Sequence, residues 1–167
     1  MPIADLLQPE FDQEMATTRR VLERVPDDKL AWKPHAKSFS LGDLASHIAN
    51  TVKWSDATMN QTEFDLATMT PEEMNQAAQN RAELLAWFDA NVQSARALIE
   101  KPDADYFVPW TLKHGDKVFF TLPRYNCMRS FVLNHIVHHR AQLGVYLRLN
   151  NIPVPGAYGP SADESEK

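Results

Sequence analysis

The sequence predicts an all-α fold, a four-helix bundle, with room for a short hairpin between the third and fourth main helices. Three observations carry that expectation. Glycine is scarce, 5 in 167 residues, and strand-like alternation is absent from most of the chain. Apolar residues recur instead at steps of three and four, the spacing of one helix face. The prolines, 11 in all, fall largely between the periodic segments, where they punctuate helices.

The elements follow in order. Ile3, Leu6, Leu7, Phe11, Met15, Val21 and Leu22 make the apolar face of a first helix from Ile3 to about Val25, and Pro26 ends it. Ser40 followed by Asp43 is a capping box, which starts a second helix at Leu41 that runs to about Met59. Thr70, Pro71 and Glu73 repeat the signature and predict a long third helix to about Glu100, with Leu84, Trp87, Phe88, Val92, Ala95, Leu98 and Ile99 as its core stripe. After Pro102, the stretch FVPWTLKHGDKVFF sets strand formers on both sides of His114-Gly115-Asp116, as a hairpin requires. A fourth helix spans about Pro123 to Asn150, its inner face marked by Met128, Phe131, Val132, Ile136, Leu143, Tyr146 and Leu147. From about residue 151 the chain is expected to leave as a solvated acidic tail, because Pro153 and Pro155 block further helix. Residues 1–167 read as a single domain of ordinary size.

Composition excludes several classes of partner. The net charge of −5 is spread along the chain without a basic stripe, so nucleic acid is not an expected partner. No apolar run nears the roughly 18 residues of a membrane span, and the N-terminus lacks the features of a secretory signal. These features predict a cytoplasmic, membrane-free protein. The single Cys127 cannot form an internal disulfide or a thiolate zinc site, so a metal would be held by nitrogen and oxygen.

Three histidines occupy positions where a helix core would take leucine. His135 and His139 are four apart, offset by only about 40° around a helix, and they continue the row from Met128 and Phe131 to Gln142 and Tyr146. On the second helix His47 lies in the row Leu44, His47, Thr51 and Trp54. A neutral imidazole is costly to bury without a partner, and one divalent ion would satisfy all three at once. His138 lies about 100° from His139 and is expected at the surface or behind the site. Competing templates are missing: there is no Glu-x-x-His of a di-iron bundle, no H-E-x-x-H, no nucleophile elbow and no phosphate loop. Imidazole suits zinc, copper, iron and nickel alike, so the donor set alone leaves the metal open.

Other polar residues have plainer readings. Asp43 is read as an exposed helix cap, Arg140 as solvated or interfacial, Tyr146 as a packing residue with its hydroxyl at a wet rim, and Trp54 and Cys127 as packing residues. Gln142 sits beside a ligand position without an assigned catalytic role. His35 and His114 fall in loops.

Leu30-Ala31-Trp32-Lys33-Pro34, Ser40 to His47-Ile48, His135-Ile136-Val137-His138-His139-Arg140-Ala141-Gln142-Leu143, Tyr146-Leu147-Arg148 and Val154 to Ser161 occur in this order along the chain. In these pieces it resembles the DinB/YfiT-like family of metal-binding four-helix bundles, which is distinct from the polymerase that shares the DinB name. The resemblance maps His47, His135 and His139 onto the family's metal ligands, and implies zinc or nickel as the ion, with iron or cobalt as further occupants, and a homodimer. Ala141 departs from the glycine often found there.

Two functions follow as expectations. In the first, the ion activates water or a low-molecular-weight thiol for attack on a small electrophile, the thiol being implied by related S-transferases. In the second, the ion is structural or sensory in a non-enzymatic dimeric module. A structural zinc takes four ligands and only three are evident, which favours an open ion, and a carboxylate fourth ligand would reverse that. A catalytic reading leaves His138 or Asp43 as the general base.

Overall fold

The computed structural model describes residues 1–74 and 76–164. Four long helices dominate: α1 (Ile3–Leu22), α2 (Leu41–Asn60), α4 (Arg81–Ile99) and α7 (Asn134–Leu149). Helix α1 packs against α4 and α7, and α2 packs against the same two. Their inward rows, among them Phe11, Leu22, Leu44, Ile48, Leu84, Phe88, Ile136 and Leu143, form one buried cluster.

Local chemistry explains where the helices begin. At α2 the Ser40 side chain accepts from the Asp43 amide at 3.0 Å, and the Asp43 carboxylate accepts from the Ser40 amide at 3.3 Å, completing the expected capping box. Helix α1 has no side-chain cap of its own. Its Ile3 amide donates instead to Asp103 Oδ1 at 2.8 Å, a partner 100 residues away in the short α5 (Asp103–Tyr106).

The fold is not purely α. The expected hairpin forms from β2 (Pro109–His114) and β3 (Lys117–Pro123), and Gly115 takes φ +58° at its turn, where side chains are strained. A third strand, β1 (Glu63–Asp65), pairs parallel with β2 to give the order β1-β2-β3. Asp65 explains why so short a strand persists, because its Oδ1 accepts from the Gly115 amide at 2.8 Å and the Ala67 amide at 2.9 Å. Those two bonds hold its carboxyl below the usual range. Fully buried Trp110 donates its indole N–H to the Ala57 carbonyl at 2.9 Å and thereby pins the sheet to α2.

The expected third helix is two helices. Thr70 and Glu73 do exchange capping bonds, at 2.8 and 3.2 Å, but α3 (Pro71–Met74) lasts one turn. Asn75, within that predicted helix, lies outside the described residues. Downstream, the Ala78 amide donates to the buried Ser46 hydroxyl at 2.9 Å, fixing the connection to α2, and Asn80 then caps α4 through the Glu83 amide at 2.9 Å.

The fourth helix spans its expected length but is not uniform. The short α6 (Arg124–Cys127) runs into a π-helical segment, Met128–Leu133, and then into α7 as one rod. The tail also differs from expectation, since it folds back onto α1 and α7 as far as Glu164. Asp163 pairs with Arg148 and accepts from the Val154 amide at 2.8 Å. Residues 165–167 lie outside the described residues. Among the described residues no helix is long and apolar enough to cross a membrane.

Candidate metal centre

Helices α2 and α7 run antiparallel along a shared seam, which the side-chain contacts read out in sequence. Tyr146 reaches the Phe39 carbonyl at one end, His47 lies opposite His135 and His139 in the middle, and Trp54 meets Phe131 at the other end. The i, i+4 spacing on α7 brings the His135 and His139 ring centroids to 4.6 Å, and the His47 ring stands 5.1 and 4.6 Å from them. One nitrogen from each ring lies within 4.8 Å of the others, and His47 Nε2 is 3.4 Å from His135 Nε2. Among the described residues no carboxylate or thiolate joins this group. All three rings are half-buried.

Their electrostatics favour the ligand form. Burial, reinforced by the neighbouring His139 and His135, pushes His47 down to about 4. Burial also lowers His135 and His139, opposed at His135 by a hydrogen bond to the Phe131 backbone and at His139 by one to Gln142. At neutral pH the rings are therefore uncharged and offer lone pairs. The Gln142 Oε1 lies 2.7 Å from His139 Nδ1, so with the amide oxygen assigned there Nδ1 carries the proton and Nε2 is left free to bind. Three convergent neutral imidazoles are a donor set that fits a borderline divalent cation.

The remaining sequence candidates sort clearly. Asp43 is exposed and engaged in its cap. His138 is exposed, its ring 4.9 Å from His139 and off the shared face. Tyr146 packs edge-on against Trp32, Trp54 packs against Phe64 and Phe131, and Cys127 is buried, with burial pushing its thiol up to about 11. His35 and His114 are exposed.

Arg140 is the correction. It is 4% exposed, not solvated or interfacial, with Nη1 2.7 Å from Glu14 Oε2 and Nη2 donating to the Tyr158 hydroxyl at 2.8 Å. Nη1 also donates to the Glu14 carbonyl at 3.1 Å and the Thr18 hydroxyl at 3.2 Å. Two contributors to the centre were not assigned from sequence. Gln142 had a signal in its i, i+3 spacing from His139. Phe39, stacked on His47 at 5.6 Å, had none.

The model of the DinB superfamily matches residues 10–143. The chain belongs to that superfamily. A Bacillus subtilis (strain 168) protein, the uncharacterized YrdA, is 25% identical over 157 residues, which cover 94% of this chain and 89% of the relative. Two crystal structures of DinB-like proteins share the fold. One from Bacillus cereus ATCC 10987 superposes with a TM-score of 0.70 at 18% identity, covering 90% of this chain and 94% of that one. YjoA from Bacillus subtilis gives 0.66 at 14% identity over 89% and 95%.

Proposed function

We propose that this DinB-superfamily protein binds one divalent ion through His47, His135 and His139, and that the site is catalytic. We also read its four long helices as the four-helix bundle of the family. The observation that carries the reading is the convergence of three uncharged imidazoles without a fourth protein donor among the described residues. A bound ion there would supply the positive charge that makes water or a low-molecular-weight thiol nucleophilic near neutral pH, for attack on a small electrophile. Zinc and nickel are the proposed occupants, with iron and cobalt as further candidates.

The chain's own residues have definite parts in this reading. His47 comes from one helix and the other two rings from another, so the seam must be closed for the set to exist. Gln142 holds the His139 ring in the tautomer that binds. Asp43 is committed to its cap, which leaves His138, beside His139 and in contact with water, to take up the proton released by the nucleophile. A non-enzymatic dimeric module is the second reading. Its support is the exposed apolar row on α7, where Val145 and Leu149 are 57% and 58% exposed, a face suited to a second copy.

Elemental analysis of wild type beside His47→Ala and His135→Ala tests the first reading. One ion per chain in wild type and none in either variant is expected. The cobalt-substituted protein should then gain a thiolate-to-metal band on addition of a low-molecular-weight thiol. Metal that is indifferent to thiol and to small anions would favour the structural or sensory role, and an inability to hold metal after reconstitution would remove both.

A further inference from the structure

The three histidines interrupt an otherwise aromatic seam. On one side stands Phe39, 51% exposed, its ring stacked on His47 at 29° between planes. Its position is set by the rigid cap that begins at Ser40 and by Tyr146, whose hydroxyl donates to the Phe39 carbonyl at 3.4 Å. On the other side Phe131 lies 5.8 Å from His135, backed by Trp54 at 5.1 Å, which is backed in turn by Phe64 at 4.7 Å. Both walls of the centre are flat, apolar surfaces.

We propose that the solvent side of this seam is a binding subsite for a flat, apolar group attached to the reacting atom, with Phe39 as its specificity-determining residue. The inference rests on the metal reading above and names the substrate class for it: an electrophile with an aromatic or comparably planar apolar body. A molecule whose reactive end sits at the histidines must lay its body toward Phe39 or toward Phe131. An anionic body would leave its hydration for ring faces whose quadrupole repels it and which return no hydrogen bonds, whereas a flat aromatic body gains stacking and buried area. Phe131 and Trp54 already cover one another. Phe39 keeps about half its surface in water, so it has the most area left to offer.

The test uses the full chain loaded with cobalt(II), titrated with acetohydroxamate and benzohydroxamate and followed by the visible spectrum. The two probes share a chelating head and differ in a methyl against a phenyl group. Benzohydroxamate should bind wild type about tenfold more tightly, and Phe39→Ala should cut that ratio to about twofold, the ratio being taken within each protein so that any change at His47 acts on both probes alike. Because Phe39 is exposed, its truncation leaves the core intact. Phe39→Leu keeps an apolar side chain and loses the flat ring: a ratio as low as in Phe39→Ala supports selection for planarity, and a wild-type ratio overturns it. Equal binding of the two probes by wild type, or a ratio unmoved in Phe39→Ala, overturns the subsite while leaving the metal centre standing. Failure to take up cobalt, or a spectrum that neither probe alters, overturns the metal reading and the subsite together.

Discussion

His139 and Arg140 are consecutive on α7 and face two different solutions to the same problem. Both are polar groups drawn out of water. Arg140 finds Glu14, Thr18 and Tyr158 inside the chain, a satisfied network that ties α1, α7 and the returning tail together. His139 finds Gln142 on one ring nitrogen and two other uncharged imidazoles beside the second. A network complete within the chain is explained by folding, while three convergent imidazoles with no carboxylate or thiolate beside them among the described residues form a set that could hold an ion from outside.

The sharpest way to break the contrast is to unbalance the Arg140 network. Arg140→Ala leaves the buried Glu14 carboxylate without its cation and held only by the Tyr158 hydroxyl, and should cost about 3–5 kcal/mol of unfolding free energy in urea titrations. A loss of less than about 1 kcal/mol would mean that Glu14 finds water or a new partner. The histidine side responds in another currency. Gln142→Leu removes the hydrogen bond that orients His139 and should weaken metal binding about 10- to 100-fold in competition with a chelator, with the stability of the metal-free protein scarcely changed. Unaltered affinity would show that helix packing alone orients the ring.

The smallest effect is a pH dependence in the metal-free protein. Unfolded histidine protonates near pH 6.5, roughly its reference value, whereas folded His47 resists protonation down to about 4. The unfolded chain therefore takes up the proton first, and stability falls as pH drops through that window. The loss should be on the order of 1 kcal/mol after allowance for the ring's partial exposure. Denaturation midpoints at pH 7.5 and pH 5 would measure it, and His47→Ala should flatten the difference. An equal slope in both proteins would assign the effect elsewhere.

What was legible in sequence was local or periodic. The Ser40 cap announces α2, the four-residue step pairs His135 with His139, and the Gly115 turn marks the hairpin, because each signal lies within a few residues of the structure it makes. What escaped was decided across the chain. Strand β1 is three residues with no alternation, and it exists because Asp65 reaches Gly115, 50 residues on. Thr70 is a true cap whose helix lasts one turn, and the connection beyond it is fastened by Ser46, on α2, accepting from the Ala78 amide. Arg140 looks like any exposed helix arginine until Glu14, on another helix, is placed beside it. Phe39 gained its meaning only when folding put it on His47.

The π-helical segment at Met128–Leu133 sets the rotational phase of the last helical rod. Cys127 just before it and Phe131 within it face the hairpin cluster; downstream, His135 and His139 face α2. A widened turn advances the chain by one residue more than an α-helical turn would, and one residue is about 100° of helix. Deleting a single residue there to restore an α-helical path would swing the aromatic end around the rod relative to the histidine end. The segment therefore acts as a coupling between two modules on one shaft, fixing the angle at which the sheet and the histidine cluster meet.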